Sequence, residues 1–117
     1  METENLFPLS AFERAKASPN RCPVTASMQV LGGKWKTIIL WAVGGGINRF
    51  GALQRAIPGI TKKMLTQQLR ELEVDGLVHR KVFPLVPPKV EYSVTERGES
   101  LQPVILALRD WGQKHVL

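Results

Sequence analysis

Residues 58–78 read PGITKKMLTQQLRELEVDGLV, from Pro58 to Val78. Pro58-Gly59 is a turn signal, and Asp75-Gly76 is a second one leading into an apolar residue. Between the turns, Leu65, Leu69 and Leu72 recur at spacings of four and three, which puts them on one face of an α-helix. Lys63, Thr66, Gln67 and Arg70 follow an i, i+3, i+4, i+7 pattern of their own on the opposite face. Thr61 stands where an N-cap belongs. A polar helix face is most often simply a solvated one. This face has no carboxylate, and all four of its side chains can donate to a phosphate or a base edge, as a helix entering the DNA major groove requires.

The charge pattern around this stretch points the same way. No acidic residue occurs between Glu13 and Glu71, a span holding ten basic ones: Arg14, Lys16, Arg21, Lys34, Lys36, Arg49, Arg55, Lys62, Lys63 and Arg70. A net charge of +6 gathered in this way favours a polyanionic partner, whereas a surface built for solubility mixes its signs.

Upstream, Pro23 suits the first position of a helix running to about Leu31, stopped by Gly32-Gly33. A second helix is expected from Lys34 to Val43, with Trp35, Ile38, Ile39, Leu40 and Trp41 on a wide apolar surface and Gly44-Gly45-Gly46 at its end. Ile47 to Phe50 reads as a short strand, and Gly51 to Ile57 as a short helix bracing the next one. Downstream, Val78 to Phe83 and Val90 to Val94 alternate as strands do. Between them Pro84-Leu85-Val86-Pro87-Pro88 lacks three backbone donors and should project as a stiff loop. Thr95 caps a last helix, with Pro103 kinking it or delaying its start, and Leu101, Val104, Ile105, Leu108 and Trp111 along one face. The expected fold is α+β and mostly helical: a winged helix-turn-helix domain with a two-stranded wing and terminal dimerisation helices. It occupies residues 21–117. Residues 1–20 form an N-terminal arm belonging to the dimer interface, with Leu6, Phe7, Leu9 and Phe12 as anchors.

In this reading Lys63, Thr66, Gln67 and Arg70 contact bases, Gln suiting adenine and Arg guanine. Thr61, Lys62, Arg49, Arg80, Lys81 and Lys89 contact the DNA backbone. The face of Leu101, Val104, Ile105, Leu108 and Trp111 exceeds what so small a domain needs, and is expected at a dimer interface. Cys22, the only cysteine, excludes an intramolecular disulfide. Most free cysteines are inert. This one precedes Pro23 at a helix N-cap beside Arg21, where helix amides favour the thiolate, so reaction with an oxidant or electrophile is the alternative. An enzyme finds no support: His79 and His115 have no paired carboxylates, phosphate-cradling loop or metal-ligand spacing to work with. No cofactor, metal site or membrane span is expected; the apolar run from Trp35 to Val43 is too short and contains Lys36.

The chain resembles the HxlR-type winged-helix transcription regulators, relatives of the MarR group. The resemblance rests on Cys22-Pro23, Gly33-Lys34-Trp35, Arg49-Phe50, Gly59 through Thr66, Leu69-Arg70-Glu71-Leu72-Glu73, Asp75-Gly76-Leu77-Val78, Arg80, Pro88, Val90-Glu91-Tyr92, Thr95, Gly98, Leu101 and Trp111-Gly112. It spans roughly Cys22 to Gly112. It implies a cytoplasmic homodimer joined through terminal helices and bound to a near-palindromic operator in double-stranded DNA. It also implies a small-molecule or oxidant effector, since the family cysteine is a thiol sensor in some members. A ligand-responsive regulator without redox sensing and a winged-helix protein-interaction module are the competing readings.

Overall fold

The computed structural model describes residues 22–117. The arm of residues 1–20, with its anchors Leu6, Phe7, Leu9 and Phe12, and Arg21 lie outside the described residues. Contacts divide the chain at Gly32–Gly33. Before that division, α1 spans Pro23–Leu31, with Cys22 as N-cap and proline in its first turn, as the sequence leads one to expect.

After the division come α2 (Lys36–Gly44), α3 (Phe50–Ala56), α4 (Lys62–Val74), β1 (Val78–Phe83), β2 (Lys89–Val94), α5 (Glu96–Glu99) and α6 (Gln102–His115). This is helix, helix, turn, helix, hairpin, helix: a winged helix-turn-helix. β1 and β2 pair antiparallel, in a register that places Val78 opposite Val94 and Phe83 opposite Lys89. The loop of residues 84–88 forms the hairpin tip, and its Val86 is fully exposed.

The core lies where α2, α3, α4 and the hairpin meet. Ile39, Leu53, Leu65, Leu69 and Leu72 are almost completely hidden, joined by Ile57, Leu77 and Val78. Fully burying side chains of this size stabilises by about 1.5–3 kcal/mol each relative to leaving them exposed. The helix-turn-helix hangs on α2. α3 packs against α2 and β2, while α4 packs against α2 and β1. Bracing of α4, expected from the short helix before it, comes mainly from α2 and β1.

Two expectations are corrected. Residues 47–49 form no strand; they run irregularly into α3, with Arg49 at its N-cap. The only ladder-like bond there runs from the Tyr92 N–H to the Asn48 carbonyl at 2.9 Å, too little to extend the sheet. The second helix begins two residues later than expected, because Gly33 takes a positive φ and Trp35 becomes the N-cap. Pro103 acts as foreseen. The chain winds from Glu96 to Glu99, breaks, and restarts at Gln102 with the proline in its first turn.

Candidate nucleic-acid interface

Both ends of α4 are closed by the sequence that spells it. The Thr61 hydroxyl accepts from the Met64 N–H at 3.1 Å, satisfying one of the free amides of the first turn. At the other end Gly76 adopts φ +73, its N–H reaching the Glu73 carbonyl and the Leu77 N–H reaching that of Leu72. That pair of bonds is a Schellman closure, sealed by the buried Leu72 and Leu77. With its leucine stripe covered, α4 can present only its other side to a partner.

On that side Lys63, Gln67 and Arg70 are exposed. Thr66 is half-buried, and its hydroxyl donates back to the Lys62 carbonyl at 2.8 Å, so its one proton is spent within the helix. The row Lys62, Thr66, Arg70 borders a groove of about 360 Å³ that Phe50, Leu69, Arg80 and Tyr92 also line. Glu73 is the one carboxylate on its wall.

The wing sorts its cations by face. Arg80 lies opposite Tyr92 in the ladder and faces the α4 groove. Lys81 and Lys89 stand on the other face of the hairpin, converging on the Phe83 ring at 4.9 and 5.2 Å. Lys89 also meets Glu91 at 3.3 Å. So of the three wing cations read together from the sequence, only Arg80 joins α4. The period-two alternation of β1 carries that distinction. Arg49 sits exposed at the N-cap of α3.

One element of the site was not anticipated. Lys36, in the first turn of α2, is buried, and its Nζ lies 2.8 Å from the Glu71 Oε1 on α4. The Lys36 hydrogen bond and charge hold the Glu71 carboxyl below the usual glutamate range, against the opposing cost of desolvation. No local signal could reveal this pair, because its members are 35 residues apart.

Cys22 is partly exposed. Its thiol makes no full capping hydrogen bond. The Thr25 amide, then the Thr25 hydroxyl and the Val24 amide, nevertheless hold its pKa below the ordinary thiol value, outweighing the small desolvation that raises it. On α6, Ile105 is buried, Leu101 is half-buried, and Val104, Leu108 and Trp111 are exposed. Among the described residues no His, Cys, Asp and Glu cluster could hold a metal. No described helix is long and apolar enough to cross a membrane.

Comparison with known proteins bears on this geometry. The HxlR-like helix-turn-helix family matches residues 30–117. The HTH-type transcriptional regulator YybR of Bacillus subtilis is 49% identical over 105 residues, covering 88% of this chain and 84% of its own. Among solved structures, the redox regulator HypR in its oxidized form superposes with a TM-score of 0.76 at 51% identity, covering 80% of this chain and 97% of that one. The reduced transcriptional regulator YodB from B. subtilis superposes with a TM-score of 0.69 at 35% identity, covering 81% and 94%.

Proposed function

This chain belongs to the HxlR-like helix-turn-helix family of DNA-binding transcriptional regulators, and from that premise we propose that it works as a homodimer on a near-palindromic operator. Lys63, Thr66, Gln67 and Arg70 read base edges in the major groove. Lys62, Arg80 and Arg49 hold phosphates on the α4 side of the wing, with Thr61 at the helix N-terminus. Lys81 and Lys89 take backbone contacts from the opposite face of the hairpin. The second copy places its own α4 one turn of DNA away, about 34–36 Å. The observation that carries this reading is the exposed Lys63, Gln67 and Arg70 on a helix whose leucine stripe is buried in the core.

Quantitative binding to the promoter beside its own gene tests it. Arg70→Ala or Lys63→Ala should cost about 1–3 kcal/mol and relax base preference at one position of each half-site. Arg80→Ala should weaken all sequences alike and lower the salt slope by about one. Binding indifferent to all three substitutions and to salt would leave the protein-interaction reading standing.

Control falls to Cys22. Its lowered pKa favours the thiolate, the form that attacks oxidants and electrophiles. HypR and YodB, structurally similar, are described as a redox regulator and as a transcriptional regulator in reduced form. With a single cysteine per chain, a protein disulfide here joins two copies through their Cys22 residues, each giving up one electron to the oxidant. A diamide-treated sample should run as a covalent dimer without reductant and change its operator affinity. Cys22→Ser should do neither.

A further inference from the structure

The outer end of the wing is built differently from its base. Beyond Arg80 and Tyr92, the next rung on the same face of the ladder is Val82 opposite Val90. Val82 is 49% exposed, and at the tip Leu85 and Val86 are 56% and 101% exposed. Single exposed apolar residues are ordinary. Here they run together at the end of a hairpin, and the cations stand back from it. Arg80 borders the α4 groove, while Lys81 and Lys89 gather over Phe83 on the opposite face. A tip made to hold phosphates would end in cations.

The tip is also poor in hydrogen-bond donors. Pro84, Pro87 and Pro88 have no N–H, and the Leu85 N–H is spent on the Phe83 carbonyl at 2.8 Å. Such a surface cannot read the donor and acceptor pattern of bases. It suits a groove selected by its width and deformability. Leu85 lies five residues beyond Arg80, about 17 Å along an extended chain. Half a turn of duplex, the step from a major groove to the neighbouring minor groove, is also about 17 Å. Apolar side chains entering a minor groove partly unstack a base step, which is easiest at TA and CA/TG.

We propose that Leu85 and Val86 enter the minor groove beside each half-site and select its deformability, adding indirect reading to the base contacts of α4. Arg80 on one face and Lys81 and Lys89 on the other flank the tip with positive charge, matching a groove walled by phosphates. Glu91, the one carboxylate of the hairpin, is paired with Lys89 at 3.3 Å. This inference rests on α4 lying in the major groove. The test uses the full chain and the promoter fragment beside its own gene, altered only half a turn outside each half-site. The altered base pairs are either TA and CA/TG steps or a stiff A-tract. Affinity is read by titration and bending by end-to-end energy transfer. The wild type should prefer the flexible flanks roughly tenfold and bend them further. Leu85→Ser combined with Val86→Ser should lose that preference and the extra bend. Base preference within the half-sites and thermal melting should stay as in the wild type, because both side chains are exposed. Val86→Arg should bind every flank more tightly at low salt, with a steeper salt dependence and less discrimination. A flank preference that survives the double substitution overturns the proposal. So does a loss of transcriptional control with binding and bending intact, which assigns the tip to a protein partner. A wild type that discriminates half-sites but not flanks overturns this inference alone. One that discriminates neither overturns the α4 reading beneath it.

Discussion

The helices α4 and α6 are nearly equal in length and each carries an apolar stripe, yet they dispose of it in opposite ways. On α4, Leu65, Leu69 and Leu72 are at most 2% exposed. On α6, Ile105 is covered, while Val104, Leu108 and Trp111 remain 44%, 54% and 61% exposed. A stripe satisfied inside the chain frees the other face for a polar partner. One left open asks for an apolar partner from outside, and exposed groups of this kind mark interaction surfaces when they cluster. The same period therefore serves two ends: α4 is a core helix that displays cations, and α6 is a helix with an open apolar face, where we propose that a second copy docks.

Substitutions on the two helices test this contrast. The largest effect is expected from Leu69→Ala, which opens a cavity under α4 and should cost about 2–5 kcal/mol in chemical denaturation, lowering operator binding only through unfolding. Trp111→Ala should leave the fold of the subunit intact and weaken the dimer by about 2 kcal/mol or more, read as a shift in the monomer–dimer equilibrium by sedimentation. If Trp111→Ala instead lowers melting of the monomer as Leu69→Ala does, the contrast between the helices is void. Thr61→Ala removes the N-cap of α4 and should destabilise by about 1 kcal/mol, with no change in association.

The smallest effect concerns pH. Glu71 is held below the ordinary glutamate range when folded, so its pairing with Lys36 contributes stability above the pKa of an unfolded glutamate. That contribution is lost as pH falls through the lowered folded value. Acid titrations of wild type and Glu71→Gln should therefore converge at the acid end and separate above it, modestly, since Glu71 is part-exposed. Curves that stay parallel throughout would show that the pair adds nothing to stability.

Much of this was legible beforehand because it is local. The start, face and end of α4 follow from Thr61, the leucine spacing and Asp75-Gly76, each acting within a few residues. The N-cap position of Cys22 follows from Pro23, and the restart of the last helix from Pro103. The strand expected at residues 47–50 fails for a related reason: a short apolar run is a strand only if an edge receives it, and β2 offers it a single bond. Along the face from Leu101 to Trp111, Ile105 turns into the core of its own chain, which periodicity alone does not distinguish from its neighbours.

Most elements, the caps of α4, its donor-rich face and the apolar excess of α6 could be read from the chain alone, because periodicity and turn chemistry are properties of neighbours along it. Gly98 marks the boundary. Its small size is plain in the sequence, but only the packed structure shows that a Cβ there would collide with the Leu77 carbonyl and the Val94 side chain where α5 crosses the wing. Tertiary structure alone decided that Arg80 joins α4 while Lys81 and Lys89 gather on Phe83, and that Lys36 reaches Glu71. Those are contacts between elements distant in sequence, and which side chains meet depends on how α2, α4 and the hairpin pack.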